Sequence, residues 1–125
     1  MLAFWRAAAE DAHRPVDTPQ ALTALLLRDP EALIVAVDGA EIVATIVAGW
    51  DGWRCHLYRL AVRPDRRGEG LGKAMIAAAE ERFRSLGGTR ADAMVLDDNE
   101  PAHGIWAASG YRRQQEWSRW IKPLS

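Results

Sequence analysis

The chain predicts an α/β domain built on a mixed, mostly antiparallel sheet flanked by helices. Three observations carry that reading. First, three apolar runs, 32–37, 41–50 and 53–62, are separated by Asp38-Gly39 and Asp51-Gly52. Such dipeptides favour tight hairpin turns, so 32–62 reads as an antiparallel meander. Second, the third run passes through a glycine-rich turn into a helix with Leu71, Met75, Ala79, Phe83 and Leu86 on one face. Third, a short apolar run, Met94-Val95-Leu96, follows that helix. The unit from 57 to 96 then closes as a right-handed crossover between parallel strands.

The other elements follow in order. Residues 2–12 have helical composition, and His13-Arg14-Pro15 ends that segment. Thr18 before Pro19 has the chemistry of an N-cap followed by a first-turn proline. Leu22, Leu25 and Leu26 mark one face of a short helix ending near Asp29-Pro30. The run 32–37 is apolar throughout, which predicts a strand buried on both faces. In the long helix Glu80 and Arg84 can pair across one turn, and Gly87-Gly88 stops it. Asp97-Asp98-Asn99-Glu100-Pro101 starts a further helix that ends at Ser109-Gly110. A last strand is expected over 111–121.

Length and composition bound the function. With 125 residues the chain fits one domain, 1–125, with a modest core. The net charge of −1 provides no global field for nucleic acid or a membrane. Positive charge gathers locally instead, at Arg63, Arg66, Arg67 and Lys73. The single cysteine, Cys55, excludes an intramolecular disulfide or a cysteine-rich zinc site and suits a reducing compartment. No apolar run approaches the roughly 20 residues of a membrane span, and no secretory signal pattern is present. A cytoplasmic protein without a metal is expected.

The segment 66–73, Arg-Arg-Gly-Glu-Gly-Leu-Gly-Lys, carries the strongest chemical signal. Glycines let the backbone turn several N–H groups toward one point, and a helix start adds free donors and a positive dipole end. The combination is an anion site, most naturally for phosphate. It is not a dinucleotide fingerprint: G-x-G-x-x-G fails in both frames, at Lys73 and at Met75. A P-loop fails because Arg67 and Ala74 stand where it needs glycine and a hydroxyl residue.

What fits is Arg67-x-x-Gly70-x-Gly72 after Leu60-Ala61-Val62, together with Asn99-x-x-Ala102-x-x-Ile105-Trp106-x-x-x-Gly110-Tyr111. The pair resembles the pyrophosphate loop and later segment of the GCN5-related N-acetyltransferases, over residues 32–122. The resemblance implies acetyl-CoA as co-substrate. Leu60, Ala61 and Val62 would face the pantetheine arm, with main-chain groups of Leu60 and Val62 extending the sheet onto it. The backbone from Arg67 through Gly68, Glu69, Gly70, Leu71 and Gly72 to Lys73 would hold the pyrophosphate, the glycines leaving room for its approach. Arg66, Arg67 and Lys73 would meet phosphate charge, and Asn99 and Trp106 would border the cofactor, Asn99 also capping its helix. Members usually begin with a strand before the first helix. Here that strand is absent from the pattern, which leaves a sheet edge open and implies a possible homodimer.

The resemblance also exposes departures. Many members have a tyrosine acid where Trp106 stands, and many bacterial members a glutamate where Met94 stands. In the histone-modifying branch a catalytic glutamate occupies the position of His56. Imidazole can serve as a base near neutral pH. Strand alternation without a bulge would put His56 on one face with Tyr58, Leu60 and Val62. Tyr58 and Tyr111 are candidate acids. An amine acceptor, small molecule or peptide, would lie beside Glu10, Asp11, His13, Arg14 and Asp17 and against Trp50, Asp51 and Trp53. Trp117 and Trp120 are expected in the core or a dimer contact. Three readings stay open: an N-acetyltransferase, an acyl-CoA-binding sensor without turnover, and a nucleotide-binding domain.

Overall fold

The computed structural model describes residues 1–8 and 17–124. In chain order the elements are α1 (Leu2–Ala8), α2 (Pro19–Arg28), β1 (Leu33–Asp38), β2 (Glu41–Trp50), β3 (Cys55–Val62), α3 (Leu71–Leu86), β4 (Ala91–Ala93) and α4 (Glu100–Ala108). The strands form one sheet in the order β1-β2-β3-β4, antiparallel through β3, with β4 parallel to β3. The meander and the crossover are therefore as the sequence predicts. The expected first-helix end and the acidic segment around Glu10, Asp11, His13 and Arg14 lie outside the described residues.

Local chemistry explains the boundaries. The Thr18 hydroxyl accepts from the Ala21 amide at 3.1 Å, so α2 is capped as expected. Gly39, at φ 63°, turns β1 into β2. The second turn is longer than its dipeptide suggests: Asp51 Oδ1 accepts from the amides of Trp53 and Arg54 at 2.8 and 2.6 Å. Those two residues join the turn, and the third strand starts at Cys55 instead of 53. Gly87 closes α3 in the left-handed conformation, with Gly88 donating to the Phe83 carbonyl and Gly87 to that of Arg84. This pair of bonds satisfies two of the carbonyls a helix end leaves free.

β2 is the strand buried on both faces, with every residue from Val43 to Ala48 inaccessible. On one face Ala44, Ile46 and Ala48 meet Cys55, Leu57 and Val62 of β3, Met75, Ile76, Ala79 and Phe83 of α3, and Trp106 of α4. On the other, Val47 and Ala61 meet Trp5 of α1, with Leu22 and Leu25 of α2 packed at the margin. Burying each large apolar side chain stabilises by about 1.5–3 kcal/mol. Arg82 ties α3 to the rest, donating to Asp29 at 2.5 Å and to the Ala48 carbonyl at 3.2 Å.

Several expectations are corrected. The run 32–37 forms an edge strand, not one buried on both faces: Ile34 and Ala36 pack on the core, while Val35 and Val37 on the opposite face stand exposed. Leu86 is also exposed, while Ile76, unmarked by the helical pattern, is fully buried. Arg84 approaches Glu81, and Glu80 instead accepts from the Tyr111 hydroxyl at 2.9 Å. The strand expected at 94–96 occupies 91–93, because only these residues find ladder partners, in Cys55, His56 and Leu57. The last strand, 111–121, is not formed: no described sheet edge pairs with it, and alternation without a ladder does not make a strand. Trp117 and Trp120 accordingly stand exposed and pack in no described core.

One glycine fixes how α3 returns to the sheet. A Cβ at Gly88 would lie 2.3 Å from Cys55 Sγ and 3.1 Å from the Phe83 carbonyl oxygen. Gly88→Ala is expected to lower stability by about 1–3 kcal/mol through overpacking. Urea unfolding reads this directly, and an unchanged midpoint would reject the close approach.

Candidate active site

A cleft of about 1190 Å³ opens where β3 and the chain after β4 part. The parallel ladder holds only from Cys55 to Leu57. Beyond it, β3 carries a bulge. Thr45 of β2 pairs with Ala61, whereas Val47 pairs with Tyr58, so β3 spends one residue more than β2 over this interval. Among the described residues Arg59, at φ 51°, is the non-glycine residue in the left-handed region. The bulge switches the side-chain parity. Leu57 and Leu60 both face the α3 side, while His56 and Tyr58 lie on the α1 side with Ala61. The expected common face of His56, Tyr58, Leu60 and Val62 is thus broken after Tyr58.

Buried polar groups hold the bulge. Trp5 Nε1 donates to Thr45 Oγ1 at 2.9 Å, and that hydroxyl donates to the Arg59 carbonyl at 2.9 Å. The Arg59 guanidinium pairs with Asp17 and lies over the Trp5 ring, 5.4 Å from its centroid. Helix α1, β2 and the bulge are therefore one connected unit.

At one end of the cleft stands the glycine turn. Gly68 and Gly70 have φ of 85° and 82°, which side-chain residues rarely adopt, and an added Cβ would meet nothing within 4 Å. Their surroundings are open. Among the described residues the amides of 68–73 donate to no protein acceptor, since the first helical bond runs from Ala74 to the Gly70 carbonyl. Several unpaired donors at a helix start suit a phosphate. Gly72 has a different reason: its Cβ would lie 3.2 Å from Ile105 of α4, so its bareness lets the two helices approach.

The charged residues of the turn divide by partner. Arg66 donates to both Glu69 oxygens, at 3.0 and 3.1 Å, and to Asp38 at 2.8 Å, pinning the turn to the β1–β2 hairpin. Those bonds raise the guanidinium pKa, the Glu69 bond most. Glu69 is therefore taken up by Arg66 and, unlike its neighbours in the turn, does not line the cleft. Arg67 folds back onto the Val62 carbonyl at 3.2 Å and the Ala8 carbonyl at 3.3 Å. Lys73 lines the cleft, exposed and with no protein partner among the described residues. Across from it stand Asn99, Ala102, Ile105 and Trp106. Asn99 occupies the start of α4, yet its side chain makes no capping bond. Trp106 is buried edge-on against Tyr111, with 5.0 Å between ring centroids.

His56 stands toward the other end. Its Nδ1 is 2.9 Å from Asp92 Oδ1, and its Nε2 is 3.6 Å from Asp51 Oδ2. The Arg54 and Trp53 amides lower the Asp51 pKa below the usual carboxylate value, so it is charged at neutral pH. Tyr58 packs over Gly49, where a Cβ would lie 3.2 Å from its ring. Burial, then the Asp92 charge, raises its phenol pKa, so the hydroxyl stays protonated. Tyr111 does not reach the lining: its hydroxyl binds Glu80, and burial with that bond pushes its pKa far up. Trp50 lines the cleft as expected, whereas Trp53 turns to solvent under Arg54, 3.8 Å from the ring centroid. Sequence reading missed Asp92. Its signal, a carboxylate in a short strand, acquires meaning only from the parallel register opposite His56.

Comparison with known proteins agrees with this geometry. Residues 2–111 match the model of the Acetyltransferase (GNAT) family. An acetyltransferase of Yersinia pseudotuberculosis is 33% identical over 105 residues, covering 83% of this chain and 74% of that protein. The fold resembles an aminoglycoside acetyltransferase from an uncultured soil metagenomic sample, with a TM-score of 0.77 and 16% identity over 99% of this chain and 86% of that one. It also resembles the ribosomal-protein-S18-alanine N-acetyltransferase of Escherichia coli, with a TM-score of 0.67 and 15% identity over 91% of this chain and 70% of that one. The chain belongs to the GNAT acetyltransferase family. Among the described residues no helix is long and apolar enough to cross a membrane.

Proposed function

We propose that the protein is an acetyl-CoA-dependent N-acetyltransferase that acts on a primary amine, either of a small molecule or of a peptide or protein N-terminus, in the cytoplasm. The observation that carries this reading is the row of amides at 68–73 that find no acceptor among the described residues, with Gly68, Gly70, Leu71, Gly72 and Lys73 lining the same cleft as His56. The family uses acetyl-CoA, and the open backbone of Gly68 and Gly70 fits its pyrophosphate. When bound, the coenzyme supplies a thioester carbonyl on which the amine forms an N–C bond while the C–S bond breaks and free thiol leaves.

The chain's own residues supply the rest. Among the described residues of the glycine turn, Lys73 is the cation left without a protein partner and so available to phosphate. Main-chain groups of Leu60 border the pantetheine path; the Val62 carbonyl is already bonded by Arg67. The Asp51 charge holds the acceptor's ammonium, His56 Nε2 takes its proton, and the hydroxyl of Tyr58, which lines the cleft, serves as the acid. The test is release of free thiol across a panel of amines, with lysine-type, aminoglycoside and peptide N-terminal acceptors. Coenzyme A binding with no thiol release on any of them would favour the sensor reading, which draws support from the engagement of Tyr111 by Glu80. The open outer edge of β1 supports self-association; a monomeric mass at every concentration in light scattering would reject that part.

Lys73→Gln is expected to weaken coenzyme A binding about tenfold, the equivalent of one charge-assisted hydrogen bond. Calorimetry with coenzyme A alone reads this, and unchanged affinity would remove Lys73 from the site.

A further inference from the structure

We infer that Asp92 is a positioning residue for His56: it fixes the imidazole in the tautomer that keeps Nε2 free to take a proton. The inference rests on the proposed role of His56 as base. Its physical ground is the sheet itself. The parallel register sets Asp92 directly opposite His56, with Asp92 Oδ1 2.9 Å from Nδ1. A carboxylate offers only acceptors, so the ring must present Nδ1–H to it. In the neutral imidazole that leaves the lone pair on Nε2. The other carboxylate, Asp51 Oδ2, lies 3.6 Å from Nε2, close enough to pair with an imidazolium but beyond hydrogen-bond distance, so in the neutral ring the Nε2 lone pair stays open to a proton. Asp51 is moreover held by its other oxygen to the Trp53 and Arg54 amides.

The groups facing the ring come from each neighbouring element. They are Asp51 of the hairpin, Asp92 of β4 and Tyr58 of β3, 6.3 Å from centroid to centroid, while Arg119 of the C-terminal segment lines the same cleft. Of these, Asp92 alone hydrogen-bonds the ring among the described residues. The acceptor amine, as an ammonium ion, gives one proton to Nε2, and its freed lone pair then makes the new N–C bond. An imidazole held in the opposite tautomer presents Nε2–H and cannot take that proton.

The test joins spectroscopy with kinetics on the full chain. Long-range proton–nitrogen NMR at alkaline pH, where imidazole is neutral, should show His56 as the Nδ1–H form in the wild type. In Asp92→Ala it should revert to mostly Nε2–H, the form free imidazole side chains prefer. In the same variant kcat should fall by about 10- to 100-fold, the cost seen when the partner that orients a metal-binding histidine is removed. KM for the amine and affinity for coenzyme A should be unchanged. Because Asp92 acts through the ring, adding Asp92→Ala to His56→Ala should cause no further loss. An Nε2–H tautomer in the wild type, an unchanged tautomer in the variant, or additive losses in the double variant would overturn the inference. Wild-type protein that binds coenzyme A and acetylates no amine would sink the proposed function instead, and the tautomer measurement would still decide the placement of the ring.

Discussion

His56→Ala is expected to lower kcat/KM for amine acetylation by about 10²- to 10⁴-fold, the range a positioned general base contributes. The reason lies in the acceptor. At pH 7 a lysine-type ammonium costs about 4.6 kcal/mol to deprotonate, and an α-amino group about 1 kcal/mol. A base within reach of the cleft is therefore worth more for the first kind of acceptor than for the second. The loss should be larger on lysine-type amines, and raising the pH should restore part of the rate. Coenzyme A affinity should not change, because the glycine turn and Lys73 stand at the other end of the cleft. Equal rates for variant and wild type across the pH range would reject His56 as base and leave positioning of the amine as the source of rate.

The parts of this fold that were legible in the sequence are those set by local chemistry. Asp38-Gly39, Thr18-Pro19 and Gly87-Gly88 each fix a turn or a helix end from a few adjacent residues, and each is found as read. The glycine turn was legible for the same reason, as φ values near +85° at Gly68 and Gly70 need glycine whatever surrounds them. The features that escaped depend on partners far along the chain. The bulge that separates His56 and Tyr58 from Leu60 and Val62 is anchored by a threonine on another strand. Asp92 meets His56 across 36 residues. Glu80 is taken by Tyr111 across 31 residues, although Arg84 stands one turn away. Gly72 could be read as phosphate chemistry until α4 was seen against it. An apolar run such as 32–37 looks the same at the edge of a sheet as in its centre.

Thr45→Val is expected to destabilise the protein and to weaken the site at once. The substitution keeps the shape of the side chain and removes its hydroxyl. Thr45 is fully buried, and that hydroxyl both receives the Trp5 indole N–H and donates to the Arg59 carbonyl. Its loss takes from each of two polar groups the bond to that hydroxyl, at a cost of about 1–3 kcal/mol for the buried indole N–H alone. One of them is the carbonyl of the bulge residue, whose left-handed backbone costs about 1–3 kcal/mol and persists only while its surroundings enforce it. Relaxation there would slip β3 by one residue, and a one-residue slip exchanges the faces of every side chain on that side of the bulge. Tyr58 and Leu60 could not both keep their places in the cleft. Thr45→Ser retains the hydroxyl and loses only a buried methyl, so it should stay near wild type in both respects. Urea midpoints and coenzyme A calorimetry on the two variants separate the effects. If valine and serine proved equally stable, the hydroxyl would not be what holds the bulge, and the link from α1 through Thr45 to the site would fail.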